Sequence, residues 1–205
     1  MKTPLLGAAG RKKPVTPPPA YGDTTAGFYG QRAEEDVISA SALASAVGLN
    51  IGVVVTDVKP SWLKFALDGK EVFLATRAFR HSITWDQLYN TRLCFDVLGT
   101  QGKPTAVNLL AQNAQVTIKG IRYRVRNMTI DEWNRLVVPL REWSPGTLSL
   151  MNIGNVPAGA RWMLNYVNNV NARAWRGWTS LTTAGSNPSN TGGSSMGWSP
   201  MLEPI

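Results

Sequence analysis

The sequence predicts an α+β fold of short β-hairpins and small helices. Three observations lead there. Two tight-turn pairs, Asp68-Gly69 and Lys119-Gly120, each separate strand-like runs. Two capping boxes, Thr84 with Gln87 and Thr129 with Glu132, each open a short helical pattern. Nineteen glycines and thirteen prolines in 205 residues interrupt the chain often, which favours turns over long helices.

Taken in order, residues 1–26 read as an extended Pro-rich arm. Four of the six positions from Pro14 to Pro19 are proline, a composition that favours polyproline II. A basic cluster, Arg11, Lys12 and Lys13, precedes it. Gly27-Phe28-Tyr29-Gly30 then sets two aromatics between glycines, which suits a tether on a neighbour's surface. The candidate anchoring residues are Arg11, Lys12, Lys13, Pro17, Pro18, Pro19, Phe28 and Tyr29. In an isolated chain the arm could equally be a tail without order. In the opening MKTPLLGAAGRKK three basic residues follow the short apolar part from Pro4 to Gly10, so an exposed arm is expected rather than a secretion signal.

Glu34-Glu35-Asp36 reads as a solvated acidic run before a helix. Ser39 to Gly48 is that helix, with Ser39 as N-cap and Gly48 as the left-handed residue that ends it. Ile51 to Val58 reads as a strand stopped by Lys59-Pro60. Trp62–Leu67 and Glu71–Thr76 form a hairpin across Asp68-Gly69. A helix runs from Thr84 to about Asn90, and Arg92 to Gln115 is a loop marked by Gly99, Gly102 and Pro104. Val116 to Arg126 is a second hairpin, with Arg122, Arg124 and Arg126 on a wet face. Trp133, Leu136, Val137 and Leu140 are the core side of a helix that Pro139 limits to about two turns.

The last stretch, Ala160 to Ile205, holds Trp162, Trp175, Trp178 and Trp198 but one carboxylate side chain, Glu203. Large aromatics among Asn, Ser, Thr and Gly describe a loop-rich unit with adaptable contact surface. The candidate recognition surface is Asn165, Tyr166, Asn168, Asn169, Asn171, Trp175, Arg176 and Trp178. The plainer reading makes these tryptophans core and the asparagines turn formers. Met196 to Glu203 reads as a closing strand with Trp198 and Leu202 inward.

The charge is +8, and its excess sits in the middle: residues 61–140 carry eleven basic and six acidic side chains. No basic stripe or nucleic-acid motif accompanies it, so nucleic acid is not the expected partner. Cys94 and His81 are the sole residues of their types. A Cys–His nucleophile there lacks an orienting motif, and a buried structural thiol is expected. No catalytic, metal-binding or cofactor-binding set is expected, nor membrane insertion. A single cysteine also points to folding in a reducing cytoplasm.

Several stretches occur in a telling order: GFYG, SALASAVGL, SWLKFALDGKEVFLATRAFRHSITWDQL, VTIKGIRYRVR, EWNRLVVPL and GWSPMLE. Over residues 27–205 that order resembles structural proteins of tailed-bacteriophage virions. The C-terminal half resembles the C-type-lectin-like fold of phage tropism determinants and formylglycine-generating-type domains. The family's closing motif commonly has Arg where this chain has Ser199, and Arg92–Ala114 is longer than the usual connection. Formylglycine-generating chemistry relies on a cysteine pair, which one cysteine cannot provide. The resemblance implies a division into the arm (1–26), a small α+β oligomerisation or anchoring region (27–76) and a C-type-lectin-like domain (77–205). It implies a non-enzymatic virion component, exterior or tail- and collar-associated, assembled in the host cytoplasm. Its partners would be copies of itself, as a trimer, and other virion proteins. The alternatives are a host-surface adhesin recognising a receptor or glycan, a capsid decoration protein and, last, a nucleic-acid-binding protein.

Overall fold

The computed structural model describes residues 18–56, 59–100, 103, 108–151, 161–166, 172–176, 184–188 and 196–205. In chain order the elements are β1 (Tyr21–Gly22), β2 (Ala26–Arg32), a 3-10 turn (Glu34–Asp36), α1 (Ala40–Ala46), β3 (Val53–Val54), β4 (Trp62–Leu67), β5 (Lys70–Ala75), β6 (Arg80–His81) and α2 (Trp85–Asn90). Then come β7 (Gln115–Ile118), β8 (Ile121–Arg126), α3 (Ile130–Glu132), a π-helical turn (Trp133–Val137), α4 (Leu140–Trp143) and α5 (Pro145–Leu150). The last strands are β9 (Arg161–Tyr166), β10 (Ala172–Arg176), β11 (Ala184–Pro188), β12 (Met196–Trp198) and β13 (Met201–Pro204). The fold is thus mixed α and β, with mostly antiparallel sheets and few helices.

Both expected hairpins form around turns whose two central residues have positive φ. These are Asp68 at 48° with Gly69 at 77°, and Lys119 at 49° with Gly120 at 80°. That backbone twist matches the strands it joins. Both capping boxes close reciprocally. The Thr84 and Thr129 hydroxyls accept from the Gln87 and Glu132 amides, and those side chains accept from the threonine amides in return. Ser39 caps α1 by accepting from the Ala42 amide, and Gly48 follows at φ 70°.

Among the described residues the strands form two sheets. One has seven strands in the order β1-β2-β4-β5-β13-β8-β7, the other six in the order β11-β10-β9-β12-β6-β3. β12 pairs with β9 in parallel; the remaining pairs are antiparallel. The seven-stranded sheet crosses the division at residue 76, since β13 lies between β5 and β8, with Met201 opposite both Leu74 and Arg126.

That sheet is buried on both faces, which explains the nearly continuous apolar run of β4. Leu63, Phe65 and Leu67 join Val72, Leu74 and Met201 against Trp133, Leu136, Val137 and Leu140. On the other side Trp62, Ala75, Val125 and Leu202 pack with Leu43 of α1, Trp85 and Leu88 of α2, Phe79 and Trp198. Phe79 makes edge contacts with Trp62 and Trp198, at ring-centre distances of 5.3 and 5.9 Å. The four helical-face residues from Trp133 to Leu140 are core, as their spacing predicts. The turn there widens to a π-helix, with the Val138 amide donating to the Trp133 carbonyl at 3.1 Å. Pro139 supplies the reason: it has no amide, and in an α-helical turn its ring would meet the Arg135 carbonyl.

Five expectations change. The strand from Ile51 shrinks to Val53–Val54, because Gly52 is left-handed at φ 76° and the Arg80 guanidinium takes the Ile51 and Gly52 carbonyls at 3.0 and 3.4 Å. The Gly27–Gly30 run is strand, not tether: its register against β4 shifts between Phe28 and Gly30, leaving Tyr29 as a bulge. Glu34 is buried rather than solvated, and its carboxylate accepts from the Ala40 amide at the start of α1. Arg126 is 5% exposed, so the arginine row is not wet throughout. The closing strand is two strands in two sheets. Proline cannot donate to a ladder; the Pro200 carbonyl accepts from the Ala75 amide while the Trp198 carbonyl accepts from Phe79, which makes Ser199-Pro200 the corner. Trp198 and Leu202 are inward as expected, both fully buried.

Two glycines separate backbone conformation from crowding. Gly48 and Gly52 are both left-handed, but a Cβ at Gly48 meets open space whereas one at Gly52 meets the His81 carbonyl and Ile83. Gly48→Ala is expected to cost about 1–2 kcal/mol. Gly52→Ala should cost roughly 1–3 kcal/mol more, from overpacking. Urea unfolding midpoints check the order, and equal losses would contradict it.

Candidate functional site

The site rests on an internal charge network. Position 126 of β8 faces the same side as Met201 and Glu203 of β13, the side on which α3 packs. The Arg126 guanidinium donates bidentately to Glu132, through Nη1 at 2.8 Å and Nη2 at 2.6 Å. Its Nε donates to Glu203 at 2.9 Å, and Nη1 also reaches the Asn127 carbonyl at 3.1 Å. Lys70 at the start of β5 donates to the second Glu203 oxygen at 2.9 Å. The network therefore ties β8 to α3, β13 and β5. Burial works against the charges of Arg126, Glu132 and Glu203. The Arg126 contacts outweigh burial at Glu132 and hold that carboxyl below the usual range. Lys70 and Arg126 do the same at Glu203, and the two carboxylates hold the Arg126 guanidinium above its usual value.

Beside this network the other face of the sheet is open at its hairpin end. Lys64 and Glu71 on β4 and β5 meet there at 2.8 Å, and the Lys64 ammonium stands 4.9 Å from the centre of the bulged Tyr29 ring. Tyr123 of β8 packs edge-on against Phe73, with ring centres 6.0 Å apart. Burial, with the Glu71 carboxylate adding to it, raises both the Tyr29 and Tyr123 hydroxyls, so each remains a proton donor at neutral pH. An open groove of about 590 Å³ runs along this end, lined by Lys70, Glu71, Ile121, Tyr123, Pro204 and Ile205. Ile121 and Ile205 are 51% and 54% exposed. The Ile205 amide donates to the Arg122 carbonyl at 3.1 Å, extending the β13–β8 ladder to the groove's lip. Apolar lips, a tyrosine and both signs of charge thus line the groove on a fixed backbone.

No family model, curated protein or solved structure matches the chain.

The structure distributes the sequence-derived candidates unevenly. Phe28 is 2% exposed and packs on Phe65 at 5.2 Å, so it belongs to this chain's own core and not to an arm offered to a neighbour. Tyr29 is half-buried under Lys64; Pro18 is exposed and Pro19 partly buried. Arg11, Lys12, Lys13 and Pro17 lie outside the described residues, as do Asn168, Asn169, Asn171 and Trp178. The backbones of Asn165 and Tyr166 lie in β9 and those of Trp175 and Arg176 in β10, neighbouring strands of the six-stranded sheet. Lys64, Glu71, Ile121, Tyr123, Pro204 and Ile205 are residues that sequence reasoning missed. The one visible signal was Ile121, an aliphatic residue at the turn end of the apolar stripe Ile121-Tyr123-Val125.

Cys94 is fully buried; burial raises its thiol strongly, against a smaller opposing effect from Arg124. His81 Nδ1 shares a 2.9 Å hydrogen bond with the Ser82 hydroxyl. Among the described residues no cluster of His, Cys, Asp or Glu is placed to hold a metal ion, and no helix is long and apolar enough to cross a membrane.

Two predictions follow from the network. Arg126→Met leaves the Glu132 carboxylate buried without its cation and Glu203 with Lys70 alone, and should cost about 3–5 kcal/mol. The triple variant Arg126→Met, Glu132→Gln, Glu203→Gln should recover at least half of that in chemical unfolding; no recovery would refute the assignment. The second concerns acid. Both glutamate carboxyls titrate lower in the folded than in the unfolded chain. Their stabilisation is complete above the ordinary carboxylate range and fades as pH falls below it through the folded values. The unfolding midpoint of the wild type should therefore drop more between pH 6 and about pH 3 than that of the triple variant.

Proposed function

We propose that the protein is a non-enzymatic structural component of a tailed-bacteriophage virion. It sits on the exterior or at the tail or collar, and it assembles with copies of itself and with neighbouring virion proteins through its N-terminal region. The order of motifs from GFYG to GWSPMLE supports the family reading. The C-type-lectin-like reading of residues 77–205 belongs to the same proposal; mostly antiparallel sheets with short flanking helices support it, while both sheets also take strands from before residue 77.

The observation that carries the assembly role is the open groove at the hairpin end of the seven-stranded sheet. It is lined by side chains from β5, β8 and β13, and its backbone is fixed by the Arg126 network. Surfaces of this kind on rigid elements support docking better than loops do, because little order is lost on binding. The thiol supports a structural reading, being buried and held protonated by its surroundings.

Density-gradient purification of particles from a culture producing this chain, followed by mass spectrometry and immunogold labelling, tests the proposal. The protein is expected in the particle band, with label at the particle periphery or tail. Recovery in the soluble fraction alone, with none in washed particles, would reject it.

A further inference from the structure

We propose that the groove at the hairpin end of the seven-stranded sheet receives the Pro-rich arm, residues 11–17, of a second copy of this chain. The inference rests on the assembly reading above and names the partner of that surface.

The arm's chemistry is set by its sequence. Residues 1–17 carry four cations, Lys2, Arg11, Lys12 and Lys13, and no acid. Pro14, Pro17, Pro18 and Pro19 favour polyproline II, whose carbonyls are left without internal partners and whose rings present an apolar ridge. Such segments bind with a low ordering cost, because their conformation exists before binding. The groove offers what that segment lacks. Ile121 and Ile205, both half exposed, provide apolar lips for proline rings. Tyr123, 8% exposed, lines the groove with its hydroxyl as a donor for an arm carbonyl, and Glu71 at the rim, paired with Lys64 at 2.8 Å, can share its carboxylate with an arm cation.

Geometry favours a second copy over the chain's own arm. The described chain begins at Pro18, and Pro19 packs beside Gly27 next to β1, at one edge of the sheet. The groove lies over β5, β13 and β8, so reaching β13 from β1 means crossing four strand spacings, about 19 Å. Counted back from Pro18, six residues of polyproline II, positions 12–17, span about 19 Å. Within one chain the prolines would be consumed by the crossing, and their rings could not occupy the groove. Received from a neighbour, the same residues lie in the groove itself.

The test uses full-length protein. One copy carries p-benzoylphenylalanine in place of exposed Ile121; a second, co-expressed copy keeps Ile121 and carries Val15→Ile as a mass tag. After irradiation, the cross-linked peptides are read by mass spectrometry. The expected product joins position 121 to an arm peptide bearing the Val15→Ile tag, which is intermolecular by construction. Cross-links confined to the untagged arm of the same chain, to segments other than the arm, or absent altogether would overturn the inference. As a second readout, Ile121→Glu should weaken self-association at least ten-fold with the thermal unfolding midpoint unchanged. Unaltered association would count against it. The virion reading is judged separately by particle recovery, so either can fail alone.

Discussion

A single buried guanidinium organises this fold. Arg126 spends its donors on Glu132 of α3, on Glu203 of β13 and on the Asn127 carbonyl, while Lys70 completes Glu203 from β5. Glu132 also accepts from the Thr129 amide at 2.8 Å, so one carboxylate both caps a helix and pairs with the arginine. Buried ion pairs contribute modestly to stability compared with apolar packing of the same volume, but leaving one charge unpaired is costly. Their value here lies in register. Side chains on a strand alternate, so a one-residue slip of β13 would carry Glu203 away from Arg126 and put Leu202 in its place. The network thus selects one way for the end of the chain to enter a sheet whose neighbouring strands, β5 and β8, were laid down long before it.

That entry has consequences on both sides. Inserting β13 between β5 and β8 joins two local hairpins into one sheet and aligns their turn ends. One face is then filled by Trp133, Leu136, Val137 and Leu140 from the widened helical turn. The other is filled by α1, α2, Phe79 and Trp198 around Trp62 and Leu202. The second cluster thins out at the hairpin end, where Tyr123 is its last buried member and Lys64, Glu71 and Ile121 form a surface instead of a core. The groove is the place where the two hairpins and residues 204–205 meet beyond the reach of the helices.

What the residues announced and what they concealed follow the range of the interactions. Asp68-Gly69, Lys119-Gly120 and the two threonine capping boxes are decided within four residues, and each formed as read. The apolar positions from Trp133 to Leu140 were legible from spacing alone. Burial of Arg126 and Glu34 was not legible, because a charged residue in a strand or turn looks solvated until its partner is known. The partners of Arg126 lie 6 and 77 positions away. The shortened strand at Val53 depended on Arg80 reaching back 29 positions. The groove was hidden for the same reason: its residues come from β5, β8 and the last two positions, and no local pattern links them.

Tyr29 shows how one local irregularity links the sheet to its open face. In an unbroken strand its side chain would have pointed opposite to that of Phe28, but the register against β4 would have continued to Arg32 without adjustment. The bulge, with Gly30 at φ 109°, absorbs one residue between Phe28 and Gly30. Phe28 keeps its place on Phe65 in the core, and the shifted register pairs Gln31 and Arg32 with Leu63 and Trp62, where an unbroken one would set Gln31 opposite Trp62. The extra residue is the tyrosine, which is presented to Lys64 and, through the Lys64–Glu71 pair, to the end of the groove. Gly30, which reads as slack in the sequence, is therefore where the strand takes up the extra residue, while alternation sends Phe28 to the core and Tyr29 to the surface.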